Sequence, residues 1–263
     1  MLGAPAPRVI VDGMTDGVVP VRIVEWNVSM ALHKKAHLLA GLAPSIAILP
    51  ESTHPDKARP ALEAIGATRS PTSIQWAGAN RNKGLSVVAF DGWDLRLDDS
   101  YDEGYQWVLP VHAIGPRKIR LLAVWDMGNR GKGYESARQW GSCRASLTHY
   151  ADFLAGDADA VVISGDFNKS VYWDTPQKKV KFGDFVGDLE SRGFTSAYHR
   201  ARKCEQGAEP DPTLWWMRDV NKPYHIDYTF VRPVDALLDV AVGSPEDWIT
   251  YSDHPPMTVD LRL

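Results

Sequence analysis

A succession of short, apolar, β-rich runs, several of them ending on a polar residue, constrains this chain more than any other feature. Residues 21–28 (VRIVEWNV), 45–50 (SIAILP), 85–90 (LSVVAF), 106–112, 119–125 (IRLLAVW), 160–164 (AVVIS), 213–217, 225–231 and 257–261 read as strands. Between them, residues 30–41 (MALHKKAHLLAG) have helix-forming composition closed by Gly41 and Pro44. Residues 134–155 place Ala137, Trp140, Leu147, Tyr150, Phe153 and Leu154 at the apolar positions of a helix packed on a sheet. Many short strands with few helices bury their apolar faces only by layering, so the pattern predicts an α/β fold with helices covering sheets. The absence of tandem repeats, low-complexity tracts and long Pro/Gly linkers predicts a single domain over residues 1–263.

With 44% hydrophobic and 24% charged residues, a chain of this length builds such a core without disulfides or a structural metal. Its two cysteines, Cys143 and Cys204, form no CxxC pair, which excludes a zinc ribbon and a disulfide framework and favours a reducing compartment. Residues 1–14 do not read as a secretion signal, and no apolar run approaches the roughly 20 residues of a membrane span. The expectation is a soluble, cytoplasmic monomer. The net charge is −4, but residues 115–203 hold 15 basic and 10 acidic side chains against 14 and 23 elsewhere, so a local basic face is compatible with an acidic whole.

Five polar signals fall where apolar runs end or turn: Asn27 in EWN, Glu51 in LPES, Asp166 and Asn168 in SGDFN, Asp227 in HIDY, and Asp253 and His254 in SDHPP. Each alone has an ordinary alternative. Asn27 reads equally as a helix N-cap, Glu51 as a solvated loop carboxylate, GDFN and SDH as turns, and Asp227 as an acceptor for backbone amides. Together they offer carboxylates, amides and one imidazole to a common cleft. Such oxygen-rich donors suit Mg²⁺ or Mn²⁺, whereas zinc recruits more His or Cys. Phosphate esters resist attack because the reacting centre is already negative, so a cation and a base are both needed. Glu51 is the first ligand and His254 the base, with Asp227 fixing the imidazole tautomer and Asp166 and Asn168 orienting water and stabilising the transition state.

In this order, from EWN to SDHPP, the motifs resemble those of the endonuclease/exonuclease/phosphatase superfamily. The resemblance implies a four-layer α/β sandwich, two packed mixed β-sheets flanked by helices, with a Mg²⁺-dependent phosphoesterase site at one end. It implies Asn27 as the first active-site Asn, Glu51 as metal ligand with Asn27 and Asp253 beside it, and Asp166 and Asn168 as the pair that positions the nucleophile and contacts phosphate. Asp227 then orients His254. Two departures stand out: Trp125, Asp126, Met127, Gly128 and Asn129 occupy the place where the family has a His or Tyr, and His225 stands where its nucleases have an Arg. Asn129 or Asp126 is the alternative phosphate or metal contact there.

For substrate, the ten Trp include Trp76, Trp173, Trp215 and Trp216 near strand ends, where aromatics beside cations stack nucleobases. Lys169, Lys178, Lys179 and Lys181 follow GDFN, and Arg200, Arg202 and Lys203 come soon after; such a rim suits a phosphate backbone, although charge runs also form solvated faces. The leading expectation is a nuclease acting on DNA or RNA, with Trp215, Trp216, Lys169 and Asn129 contacting substrate. A phosphatase or phosphodiesterase of small phosphoesters (sugar phosphate, nucleotide or lipid headgroup) shares the chemistry. No motif for a protein partner is present.

Overall fold

The computed structural model describes residues 20–65, 71–105, 107–127, 142–178 and 181–263. Twelve strands form two six-stranded sheets. The first runs in the order Leu237–Val242, Met257–Leu261, Val21–Glu25, Ile46–Ser52, Lys83–Phe90 and Pro71–Asn80. The second runs Asp94–Leu97, Val108–Ile114, Lys118–Trp125, Ala160–Asp166, Asp227–Arg232 and Thr195–Ser196. Each sheet is mixed and contains one parallel pair, Val21–Glu25 with Ile46–Ser52 and Lys118–Trp125 with Ala160–Asp166. Helices make both crossovers, as parallel neighbours require.

Strand alternation explains the layering. Ile23, Ile48, Leu121, Ala123 and Val162 face one way and form the core between the sheets. Val24, Ala47 and Leu49 face the other way, under Leu32, Leu38, Leu39, Ala58 and Leu62 of the helices. On the second sheet, Leu122, Val124 and Ile163 pack under Leu147, Phe153, Phe185 and Leu189. The result is the helix, sheet, sheet, helix sandwich that the motifs imply. No helix among the described residues is long and apolar enough to cross a membrane.

Several elements differ from the sequence reading. Residues 29–31 all take positive φ, which delays the start of the helix expected over 30–41 to Leu32, and the segment then runs as two short helices, Leu32–Lys35 and His37–Leu42. Strands Pro71–Asn80, Asp94–Leu97 and Leu237–Val242 lack a clear apolar run and are held by pairing to a neighbour. Residues 213–217 hold only the two-residue strand Leu214–Trp215, followed by a turn in which Met217 and Arg218 have φ of 58°. Of the long helix expected over 134–155, Ser142–His149 and Ala151–Ala155 are helical and residues 134–141 lie outside the described residues.

Both parallel pairs end at the same end of the sandwich, and there the second sheet needs a glycine. Gly165 has φ of 147°, and a Cβ on it would lie 1.8 Å from the Val124 carbonyl oxygen of the adjacent strand. Gly165→Ala should lower stability by about 2 kcal/mol or more in chemical denaturation. Gly187→Ala, on the exposed side of a helix with nothing near the added carbon, should leave stability unchanged or raise it. Equal stability for the two variants would contradict this account.

Candidate active site

The ends of the two sheets bring five of the predicted residues together as two hydrogen-bonded groups, Asn27–Asp166–Asn168 and Asp227–His254, set side by side on adjacent strands. Asn27 follows the strand Val21–Glu25 and is buried, its Nδ2 donating to Oδ2 of Asp166 at 2.9 Å across the sheets. Asp166 also accepts from the N–H of Asn168 at 2.8 Å, and Asn168 itself is left-handed (φ 50°). Asp227 lies directly opposite Asp166 on the adjacent antiparallel strand. Its Oδ2 accepts from Nδ1 of His254 at 2.9 Å, which leaves Nε2 as the free ring nitrogen. The side chains of Asn27, Asp166, Asp227 and His254 are all buried.

The loop that carries His254 is tied to the first sheet rather than left to its prolines. Trp26 donates from its indole N–H to the His254 carbonyl at 3.0 Å. Ser252 donates its hydroxyl to the Asn27 carbonyl at 2.7 Å and accepts the His254 N–H at 3.1 Å. Asn27 is not a helix cap: its Oδ1 accepts from the Ser29 N–H at 2.9 Å, and the following helix is preceded by Ala31. Both ends of its amide are therefore engaged, Nδ2 on Asp166 and Oδ1 on the Ser29 N–H.

The electrostatics follow from packing carboxylates in a dry space. Burial and the Asp227 carboxylate push Asp166 up to about 7, against the stabilising contacts of His254, Asn27 and Asn168. Burial disfavours the charged His254 ring, but Asp227, Asp166 and Asp253 outweigh it and push the ring up to about 10. Asp166, Asp227 and His254 bring ligand-type atoms within 4.8 Å of one another. Among the described residues these three form a group whose donor types could hold a metal ion, and within it the Asp227–His254 hydrogen bond engages one Asp227 oxygen and Nδ1 of the ring.

Glu51 reaches that position through an irregularity. Its φ is 58°, where the register with Lys83–Phe90 shifts between Leu49 and Ser52, so a bulge takes the side chain out of the strand's alternation. Glu51 Oε2 lies 3.1 Å from Lys83 Nζ, and that ammonium lies 5.0 Å above the Trp125 ring. Glu51 and Asp253 both favour the charged form of Lys35, whose amine burial and Arg218 nonetheless push down to about 8. Both carboxylates thus lie within electrostatic reach of one ammonium, and the oxygens of each are hard donors of the type that suits a small divalent ion.

The remaining expected contacts divide. Trp215 is 2% exposed and packed inside, so it cannot touch substrate; its N–H donates to the Asp253 carbonyl and holds that loop. Trp216, 55% exposed, lines a pocket of about 250 Å³ with Asn168, Trp173, Leu214, Tyr224 and Ile226. Lys169 is half-buried beside Asn168. Asp126 is buried next to the cluster, its N–H donating to the Asp166 carbonyl, whereas Asn129 and Lys179 lie outside the described residues. His225 stands behind the site in the core, donating through Nδ1 to the Asp211 carbonyl and packed on Tyr198 and Tyr228.

Sequence reasoning missed Glu25, Lys35 and Lys83. Glu25 is 1% exposed, and burial with Asp227 and Asp166 beside it holds its carboxyl well above the usual range. The signal was available: an acidic residue inside the apolar run VRIVEW.

No protein-family model matches the sequence, and neither does any curated protein. Solved structures match over nearly the whole chain. A 3′-5′ exonuclease from Neisseria meningitidis superposes with a TM-score of 0.68 at 19% identity, covering 92% of this chain and 100% of that one. An AP endonuclease from Archaeoglobus fulgidus gives 0.63 at 14% identity over 92% of this chain and 100% of its own. An endonuclease/exonuclease/phosphatase from Beutenbergia cavernae gives 0.60 at 14% identity over 93% and 72%. At these identities the likeness is one of fold: this chain shares with them the sandwich of two mixed sheets flanked by helices.

Proposed function

We propose that the protein is a divalent-cation-dependent phosphodiesterase, a nuclease that hydrolyses phosphodiester bonds of DNA or RNA. The observation that carries this reading is the juxtaposition, on adjacent strands, of the Asn27–Asp166 pair and the Asp227–His254 pair. Glu51 and Asp253 would hold the cation, which supplies neutralisation of phosphoryl charge. Asp227 fixes the ring through Nδ1, so Nε2 exchanges the proton of the attacking water. Three facing carboxylates keep that ring protonated in the cation-free protein, and positive charge beside Asp253 favours the neutral ring that a base requires. Asn168 and the N–H groups of its turn border the phosphoryl position. The aromatic pocket next to Asn168 has room for a sugar or base flanking the cut, stacked on Trp216.

A specific observation favours the second reading, a small phosphoester. Arg202, one of the expected basic rim, is paired with Asp211, so part of that rim is already neutralised. The pocket, about 250 Å³, is also of a size for one small group rather than for a polynucleotide.

Three outcomes test these readings. Glu51→Gln should abolish most cation-dependent turnover, and His254→Ala should reduce it by roughly 10²- to 10⁴-fold, with plasmid, single-stranded DNA, RNA and a panel of small phosphoesters as substrates. Unchanged rates in both variants would remove the site assignment. Binding to polynucleotide should weaken roughly tenfold or more between 50 and 200 mM salt, because phosphate contacts release counterions; a salt-independent affinity would favour the small ester. The third outcome concerns stability. The folded protein keeps the Asp166 proton up to about 7, whereas the unfolded chain releases it near 3.8, so rising pH across that window favours unfolding. Asp166→Asn should therefore melt about 2–4 °C higher than the parent at pH 8, with the gain vanishing toward pH 4, while turnover falls. A variant less stable than the parent at pH 8 would contradict the buried-charge account.

A further inference from the structure

Glu25 enters the site from a direction that no motif covers. It precedes Asn27 by two positions, so the two side chains leave the same face of the first sheet and reach the second. There they meet neighbouring partners: Asn27 donates to Asp166, and Glu25 lies against Asp227 at hydrogen-bonding range. Asp166 and Asp227 are themselves direct cross-strand partners, so the two contacts run side by side between the sheets. Both carboxyl oxygens of Glu25 are sealed from solvent, as is Oδ1 of Asp227, and no N–H or O–H donor among the described residues reaches any of the three. A buried oxygen without a donor costs roughly 1–3 kcal/mol. Two carboxyl groups in contact relieve that cost only if one carries a proton, because two carboxylates are both acceptors.

Resting on the phosphodiesterase reading above, we propose that Glu25 is a positioning residue: as the neutral acid it donates to Oδ1 of Asp227, which pins Oδ2 on Nδ1 of His254. The relay is thus Glu25, Asp227, His254, drawn from both sheets and the last loop. Without the donor, Oδ1 has no partner and the carboxylate is free to turn. With it, Asp227 is held in a single orientation. Outer partners of this kind typically change activity 10- to 100-fold without touching substrate.

The test compares Glu25→Gln, whose amide donates at the same place, with Glu25→Met, which fills the space without a donor. Two readouts are taken on the full chain: kcat and KM on whichever substrate the parent cleaves, and the histidine Nδ1–H resonance in ¹⁵N NMR, assigned with His254→Ala. Glu25→Met should lower kcat about tenfold or more with KM unchanged and lose or shift the resonance. Glu25→Gln should restore both. Parental kcat and resonance in Glu25→Met would overturn the proposal, and so would a Glu25→Gln protein as impaired as Glu25→Met. If Glu25→Met does not fold, a Glu25→Gln protein that is folded but lacks the resonance is the overturning result. The resonance needs no substrate, so its loss in Glu25→Met and recovery in Glu25→Gln would support the relay even in a protein that cleaves no phosphoester. Hydrolysis with an unaffected resonance would sink the relay alone.

Discussion

Asp166 and Asp227 face each other on adjacent strands, both withdrawn from water, and the rest of the site is arranged around the cost of that pairing. Two bare carboxylates at this separation and burial repel each other and lack solvation. The structure offsets the cost with Asn27 from the opposite sheet, the Asn168 N–H from the local turn and the His254 ring from the last loop. Each of these partners comes from a different part of the chain. The two sheets therefore have to be packed before the acid-base cluster exists, and the same hydrogen bonds that complete it help hold the sheets in register at that end.

The backbone departs from ordinary angles around the same place. Ser29, Met30, Ala31, Glu51 and Asn168 are all left-handed without being glycine, and Gly165 takes an angle that only glycine tolerates against Val124. Conformations of this kind persist where surrounding contacts over-determine them. Here those contacts are identifiable: Lys35 donates to the Val28 and Ser29 carbonyls, Ser29 caps onto Asn27, and the Glu51 bulge is locked between paired strands. Of these positions Glu51 and Asn168 belong to the candidate site, while the regular strands beneath them carry the core and Asp166 and Asp227.

Much of the cluster was legible because polar residues at the ends of apolar runs are conspicuous. Asn27, Asp166, Asn168, Asp227 and His254 announce themselves in that way, and the structure brings them together. Trp215 and Trp216 were indistinguishable as neighbours in PTLWW, yet one is packed inside and the other lies open beside the pocket. Which of two adjacent aromatics faces outward depends on the left-handed turn at Met217, and composition does not encode that. Glu25 was hidden for the opposite reason. A charged residue in a strand reads as an edge or surface position until the sheet is known to be covered on both faces.

The alternation of apolar residues and the polar stops between them determined the layers, the strand supply and the chemical types available to the site, since local pattern depends only on spacing along the chain. What only the tertiary structure decided was pairing: that Asp166 faces Asp227, that Asn27 crosses to Asp166 and Glu25 to Asp227, and that Lys83 sits on Glu51. These contacts join residues far apart in sequence, and the burial that shifts their protonation exists only once both sheets close over them.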